Sequence, residues 1–226
     1  MESQKQFYIH QHLVLGGSIL SKKLLGIAFF LFLMFGIMAA QPGHAAVAPL
    51  EDALSEKSMG KKDAPVTITE YSSLGCSHCA AFHRETLPKI KSKYIDTGKV
   101  RLVYNDMPFG TPALAAAALA RCGGSDRFFG FIEVLFRSQQ QWSSGNDIVG
   151  ELARVGRFGG LSKNDVQTCL KNQELLKAIA GSADVAVKKH GVQATPTFFI
   201  NGTKIEGAQP FENFKKVIDE ALEKAK

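Results

Sequence analysis

Residues 66–79, with the sequence VTITEYSSLGCSHC, decide the fold of this chain. The run 66–71 is rich in β-branched side chains, which favours a β-strand. A turn follows, and a helix is predicted from about residue 76 to residue 93, with Pro88 inside it as a kink. The segment therefore predicts an α/β fold in which a strand leads into a helix that begins with two cysteines.

The pattern then turns from strand to helix. Residues 100–105 (VRLVYN) form a second predicted strand, and the helix between the two strands predicts a parallel β-α-β unit. From about 111 to 191 the pattern is helical: an Ala-rich helix starts at Pro112, and Asp126 and Ser162 are placed to cap later helices. Further helices are predicted at 146–155, 162–171 and 174–190.

Strand character returns near the C-terminus. Residues 197–200 and 204–206 flank Asn201-Gly202, a strong hairpin signal, and an amphipathic helix follows Pro210. The order β-α-β, helices, β-β-α predicts an α/β protein with a thioredoxin fold and an all-helical domain inserted at about 111–191.

The N-terminus has the pattern of a secretory signal peptide. Lys22 and Lys23 precede an apolar run at 24–40, and small residues follow at 43–48. This combination predicts a signal peptide over 1–45, and therefore export. An uncleaved membrane anchor is the alternative, because the apolar run is close to the shortest length that spans a bilayer.

The composition is that of a globular protein and argues against a nucleic-acid binder. Hydrophobic residues make up 45% of the chain and charged residues 21%, with a formal net charge of +6. Lysines mostly alternate with acids, and no basic stripe with interleaved aromatic residues occurs. We therefore expect no nucleic-acid partner.

Cys76 and Cys79 are the candidate redox pair. A cysteine at the start of a helix lies near unpaired backbone N–H groups and the positive end of the helix dipole, which stabilise a thiolate. The Cys-x-x-Cys spacing lets both sulfurs meet across the first turn. Cys76 is therefore predicted to be the exposed nucleophile and Cys79 the more buried resolving thiol.

His78, between the two cysteines, is a candidate for redox tuning. Its ring can donate a hydrogen bond to the Cys76 thiolate or place positive charge beside it, which would make the disulfide more oxidising. Cys76, His78, Cys79 and His83 could instead bind copper or zinc, so an exported copper chaperone is kept as an alternative. We predict no metal site and no cofactor, and we place His83 on the helix surface.

Thr195 and Pro196 precede the predicted strand at 197–200. Proline cannot donate to a sheet ladder, so a proline at the entry of a strand needs a reason. A cis Thr195–Pro196 bond would supply one, because it turns the chain tightly and exposes the backbone of Thr195 to a bound peptide. An ordinary trans proline is the alternative.

Glu70, the motif at 76–79 and the segment 194–202 (ATPTFFING) together resemble the DsbA-like family of thiol-disulfide oxidoreductases in the thioredoxin superfamily. The resemblance runs from about residue 63 to the C-terminus. It implies a periplasmic oxidase that passes its disulfide to reduced, unfolded exported proteins. A DsbB-like membrane oxidase would then reoxidise it.

The same resemblance implies roles for the site residues. Cys76 attacks, Cys79 resolves, and Thr195 with a cis Pro196 borders the substrate. Glu70 would lie buried beneath the redox pair and help to move the proton of Cys79, whereas its alternative is a solvent-facing strand position. The chain departs from the best-known members at Ser77 and at Thr195.

Disulfide isomerase and reductase are the alternative activities within this fold. Isomerases of the family usually carry an N-terminal dimerisation domain, and only about fifteen residues separate the predicted cleavage site from the catalytic domain. We therefore predict a monomeric oxidase. The predicted division is a signal peptide at 1–45, an N-terminal helix and linker at 46–62, and the DsbA-like domain at 63–226.

Cys122 and Cys169 are predicted to form a structural disulfide. Both lie in the predicted helical insertion, each near a helix end, and an oxidising compartment leaves few thiols unpaired. Some DsbA-like proteins carry a second, non-catalytic disulfide in this domain, so the resemblance agrees and implies a four-cysteine member. Two separate buried thiols are the alternative.

Overall fold

The computed structural model describes residues 47–226, and the predicted signal peptide or membrane anchor lies outside them. Within the described part, no helix is both long enough and apolar enough to cross a bilayer. The elements are α1 (Leu50–Leu54), β1 (Lys57–Met59), β2 (Val66–Ser72), α2 (Ser77–Ala81), α3 (Leu87–Ile90), β3 (Val100–Asp106), α4 (Gly110–Cys122), α5 (Ser125–Arg137), α6 (Gln139–Ser143), α7 (Ile148–Phe158), α8 (Lys163–Lys171), α9 (Gln173–His190), β4 (Thr197–Ile200), β5 (Thr203–Glu206) and α10 (Phe211–Lys224).

The strands form one five-stranded sheet in the order β1-β3-β2-β4-β5. Strands β2 and β3 run parallel, and the other neighbours are antiparallel, as the predicted β-α-β and β-β units require. The sheet and the helices between β3 and β4 confirm the thioredoxin fold with a helical insertion. Because β2 is the central strand, its C-terminal end delivers the cysteine motif to the middle of the sheet.

Strand β1 corrects the prediction of a plain linker in this region. Residues Lys57–Met59 pair antiparallel with β3 at the edge of the sheet. Lys57 is only 1% exposed, and its ammonium group donates to the carbonyl oxygen of Asp52 at 2.5 Å and to the hydroxyl of Ser125 at 2.9 Å. A Lys-Ser-Met run without β-branched residues carries no strand signal. Its pairing with β3 and the contacts of Lys57 hold it in the sheet.

The helix that begins with the cysteine motif is continuous from residue 77 to residue 95, and we call it the redox helix. It alternates α2 and α3 with two π-helical turns, Phe82–Thr86 and Lys91–Ile95. The first π-helical turn precedes Pro88, and the N–H of Leu87 bonds to the carbonyl of Phe82, five residues back. Since Pro88 has no N–H, this wider turn accommodates it without breaking the helix.

The helical insertion comprises α4 to α9. Ser162 and Asp165 form the predicted capping box at α8. Asp126 is not a cap, because α5 begins one residue earlier, after Gly124, whose φ of 76° favours glycine. The short helix α6 was not predicted, since its Gln-Gln-Gln-Trp-Ser sequence has no apolar repeat.

Two large clusters of buried side chains form most of the core. One joins the insertion to the redox motif and includes Leu74, Cys79, Tyr104 and Trp142. The other packs the redox helix and α10 on the sheet and includes Phe82, Phe198, Phe214 and Ile218. Cys79 therefore belongs to the core of the insertion, although it is part of the thioredoxin fold.

The Asn201-Gly202 turn between β4 and β5 is the predicted hairpin. Both residues have positive φ, 44° and 92°, as a two-residue turn of this kind requires. The Asn201 side chain also accepts the N–H of Thr67 at 2.9 Å and donates to the carbonyl of Pro65 at 3.2 Å. These bonds tie the turn to the start of β2 and fix the register of β4, which holds Thr197 beside the motif.

Candidate active site

The two cysteines of the motif sit at the start of the redox helix with very different exposure. Cys76 is the residue before the first helical turn and is partly exposed, whereas Cys79 is fully buried. Both are free thiols. The arrangement matches the predicted nucleophile and resolving thiol.

The surroundings of the two thiols separate their pKa values. A hydrogen bond from the Cys79 thiol lowers the pKa of Cys76 to about 5, assisted by the Thr195 side chain and by the backbone N–H groups of Cys79 and His78. Burial raises the pKa of Cys79 above its ordinary value, and the hydrogen bond and charge of Cys76 add to the rise. At neutral pH the reduced pair therefore holds a thiolate on Cys76 and the proton on Cys79.

Thr195 and Pro196 face the nucleophile. The Thr195–Pro196 peptide bond is cis, as predicted, and the Cys76 thiol donates to the carbonyl oxygen of Thr195 at 3.3 Å. Among the described residues the Thr195 hydroxyl is buried without a hydrogen-bond partner. Donation to the Cys76 thiolate would give this hydroxyl a partner, which is why the side chain favours the ionised sulfur.

Glu70 is fully buried in β2, so the alternative of a solvent-facing position is wrong. It lies in register with Tyr104 on β3 and with Phe198 on β4. One carboxylate oxygen, Oε1, lies 2.9 Å from Nε2 of His83, and the other, Oε2, is buried without a partner. A buried carboxylate oxygen without a partner is uncommon, which makes Glu70 a candidate functional residue.

His83 corrects the prediction of a helix-surface residue. Its side chain is only 6% exposed, and its ring packs against Phe136 with centroids 4.4 Å apart. The spacing of four residues from Cys79 was a usable signal, because residues i and i+4 share a helix face and Cys79 was predicted to be buried.

Two further polar residues of the buried site were not predicted. Ser72 is the last residue of β2, and Tyr104 lies within β3; both are buried. Burial, followed by the charges of Asp106, Glu70 and Cys79, raises the pKa of Tyr104 well above its ordinary value, while the Ser72 hydroxyl opposes the rise. The carboxylate, the phenol and the buried thiol therefore share one polar pocket under the redox pair.

His78 is exposed on the first turn of the redox helix. Its backbone N–H contributes to the low pKa of Cys76. Its ring has no hydrogen bond to any other residue between 47 and 226. In this structure His78 therefore acts on the Cys76 thiol through its backbone N–H and not through its ring.

Gln139, on α6 of the insertion, holds the turn that carries Cys76. Its side-chain amide donates to the carbonyl oxygen of Leu74 at 2.6 Å and to that of Cys76 at 3.0 Å. Sequence patterns gave no indication of this residue, because the contact joins positions 63 and 65 residues apart.

Cys122 and Cys169 form a disulfide between α4 and α8, with Cα atoms 6.1 Å apart. Both sulfurs lie in the core of the insertion. The two helices that the bridge joins also pack on each other. The bridge links the same two cysteines as the predicted disulfide.

No cluster of three or more metal-ligating side chains occurs within residues 47–226. His83 is paired with Glu70, and His78 is exposed. Cys76 and Cys79 contact each other, but the four residues considered for copper or zinc do not form one cluster.

Comparison with known proteins agrees with this site. The Thioredoxin family profile matches residues 53–220. A protein of Rickettsia typhi provisionally named a protein-disulfide oxidoreductase is 32% identical over 166 residues, covering 73% of this chain and 61% of the relative. Disulfide bond formation protein D of Bacillus subtilis is 27% identical, covering 80% of this chain and 84% of that protein.

The fold agrees as well. The crystal structure of alpha-DsbA1 from Wolbachia pipientis superposes with a TM-score of 0.72 at 33% identity, covering 76% of this chain and 92% of that one. The match spans only about three-fifths of the length of the Rickettsia relative. Sequence, fold and cysteine geometry lead to the same assignment: the chain belongs to the thioredoxin family and, within it, to the DsbA-like proteins.

Proposed function

We propose that this protein is an exported thiol-disulfide oxidoreductase that donates the Cys76–Cys79 disulfide to reduced, unfolded proteins. The observation that carries the proposal is the separation of the two thiols in exposure and pKa. A partly exposed Cys76 with a pKa near 5 is a good leaving group, so a mixed disulfide at Cys76 is readily released. A disulfide held by such a pair is a strong oxidant, because its reduced form is stabilised.

The exchange proceeds in two displacements. A substrate thiolate attacks Sγ of Cys76, the sulfur–sulfur bond to Cys79 breaks, and Cys79 receives the electron pair and a proton. A second substrate thiolate then attacks the substrate sulfur of the mixed disulfide, and Cys76 leaves as a thiolate. The substrate gains a disulfide, and the enzyme is left with the thiolate and thiol of the reduced pair.

Thr195 and Pro196 border the path of the substrate. The Thr195 carbonyl is directed at the Cys76 sulfur, so a peptide that reaches this sulfur passes along the backbone before β4. Extended peptides commonly bind by backbone hydrogen bonds at such an edge. We propose Thr195 and Pro196 as the substrate-binding element. Gln139 holds the turn at 74–76 that carries Cys76.

We further propose a periplasmic location, a monomeric state and reoxidation by a DsbB-like membrane oxidase. The N-terminal sequence pattern and the names of the relatives support export and disulfide formation. The proposed domain division keeps a signal peptide at 1–45 and a DsbA-like domain at 63–226, and the segment 46–62 adds β1 to the sheet of that domain. Isomerase and reductase activities use the same cysteines, and the redox equilibrium of the pair distinguishes them from an oxidase.

The test uses a reduced, unfolded protein that needs disulfides for activity. Oxidised wild type should restore its activity, Cys76→Ser should abolish the reaction, and Cys79→Ser should accumulate mixed disulfides because nothing resolves them. Equilibration with glutathione then measures the redox equilibrium of the Cys76–Cys79 pair. Full oxidase activity of Cys76→Ser would contradict the proposal.

A further inference from the structure

Cys79 has to gain a proton when the Cys76–Cys79 disulfide is opened. When the disulfide is opened at Cys76, the electron pair is left on Cys79, whose pKa is raised and which is fully buried. The sulfur therefore needs a proton at once, and solvent does not reach it directly. Glu70 is a carboxylate of the shared polar pocket, since its charge and that of Cys79 both act on Tyr104, but it is itself 0% exposed. A carboxyl group that is sealed from water can supply one proton and must then be reloaded.

His83 is the connection between Glu70 and solvent. Its Nε2 lies 2.9 Å from Oε1 of Glu70, within proton-transfer distance. The ring is held in place by Phe136, at a centroid distance of 4.4 Å, and by Tyr104, at 6.1 Å. His83 also lines a cavity of about 660 Å³ between the redox helix and α5.

The cavity opens to the surface and has room for many water molecules. Its rim is formed by exposed charged side chains, among them Arg84, Lys91 and Arg137, while Phe129 and Phe136 form its apolar part. Glu70 and Tyr104 contact His83 from the sheet. The charged groups that line the cavity with His83 are Arg84 and Lys91 from its own helix and Glu133 and Arg137 from α5.

We propose that His83 relays protons between this cavity and the buried Glu70, and so reloads the group that protonates Cys79. The inference rests on the proposed thiol-disulfide exchange. As the bond to Cys79 breaks, Glu70 gives its proton to the Cys79 sulfur and becomes a carboxylate. His83 passes a proton from Nε2 to Glu70, and cavity water returns one to the ring. In the reverse reaction the protons move outward along the same groups.

The relay is tested on the protein's own disulfide, so the result does not depend on whether it oxidises other proteins. Oxidised protein is mixed with dithiothreitol between pH 5 and 8, the reaction is stopped with an alkylating agent, and the reduced fraction is measured over time. His83→Ala should slow the opening of the disulfide by at least about tenfold, since general acid catalysis contributes that much or more. Free imidazole should restore the rate, because the shortened side chain leaves its space open to the cavity.

Matched variants separate proton transfer from a structural role. His83→Gln keeps an N–H to hold Glu70 but cannot carry a proton, so it should stay slow and should not respond to imidazole. His190→Ala, at an exposed histidine on α9, should react as wild type with or without imidazole. The rate of iodoacetamide alkylation of Cys76 should be unchanged in all three variants.

Three results would overturn the relay. The first is a wild-type rate for His83→Ala across the whole pH range. The second is a wild-type rate for His83→Gln, and the third is a slow His83→Ala that imidazole does not restore, since either of these assigns His83 only to holding Glu70. If the dithiothreitol reaction gave the expected rates for wild type and the His83 variants, but wild type did not oxidise unfolded proteins, only the proposed function would be contradicted.

Discussion

The amide of Gln139 donates to the carbonyl oxygen of Cys76 at 3.0 Å, so a helix of the insertion holds the nucleophile of the thioredoxin fold. The same Nε2 also bonds to the carbonyl of Leu74. A single side chain thus satisfies two acceptors of the turn that enters the redox helix.

Gln139→Leu should lower the free energy of unfolding by about 1–3 kcal/mol, because both carbonyl groups would lose their partner in a partly buried site. The measurement is urea unfolding of the reduced protein. Gln140→Leu, at the exposed neighbouring position, is the control and should change stability by less than about 0.5 kcal/mol. Equal stability of both variants would show that the turn does not depend on this bond.

Thr195→Val should raise the pKa of Cys76, because valine has the shape of threonine without the hydroxyl that favours the thiolate. The pH dependence of iodoacetamide alkylation reports this pKa directly. The variant disulfide should also be a weaker oxidant against glutathione. Ser77→Ala, at an exposed position of the motif, is the control, and an unshifted alkylation curve for Thr195→Val would exclude the hydroxyl as a cause.

His78→Ala should raise the pKa of Cys76 by less than Thr195→Val does. The backbone N–H that contributes at His78 is retained in alanine, and the ring is exposed to water. Alkylation of both variants in the same pH series tests the order. A larger shift for His78→Ala would mean that the charge of the ring, rather than the backbone, tunes the thiolate.

The reduced protein should become more stable between pH 5 and pH 8. A folded-state pKa of about 5, below that of the unfolded thiol, gives stability that is complete above the unfolded value and is lost as the pH falls through 5. The melting temperature of reduced wild type, compared with that of Cys76→Ser at each pH, isolates this contribution. A difference that stays constant from pH 5 to 8 would contradict the low pKa.

Removal of the Cys122–Cys169 bridge should lower stability without changing the redox site. The two cysteines are 47 residues apart, and closing a loop of that length contributes roughly 4 kcal/mol in the chain-entropy model, as an upper value. The double variant Cys122→Ala/Cys169→Ala should therefore melt at a lower temperature, with an unchanged rate of Cys76 alkylation. Thiol counting of wild type after mild reduction should find two thiols rather than four.

Local chemistry explains why much of this structure was predictable. The strand before the cysteines, the Asn201-Gly202 hairpin and the Ser162 capping box each depend on neighbouring residues, so a short window of sequence contains the cause. The motif at 76–79 likewise predicts its own exposure, because the start of a helix determines which cysteine faces water.

The unpredicted features all depend on long-range contacts. Strand β1 exists because the ammonium group of Lys57 is bound by Asp52 and Ser125, the second of which lies 68 residues away. His83 is buried because α5 covers its ring with Phe136. Tyr104 joins the polar pocket through the register of β2 and β3. The four-residue spacing from Cys79 indicates that His83 faces the core, but no local pattern records which side chain will cover its ring.

The placement of Cys79 in the core of the insertion bears on how this protein can be shortened. Leu74, Cys79 and Tyr104 share that core with α4 to α7, so deletion of residues 110–190 would not leave a smaller working thioredoxin. It would open the resolving sulfur to water and remove the separation in acidity between the two thiols. The insertion therefore shields the buried Cys79 from water, and the insertion and the thioredoxin fold have to be transferred or redesigned together.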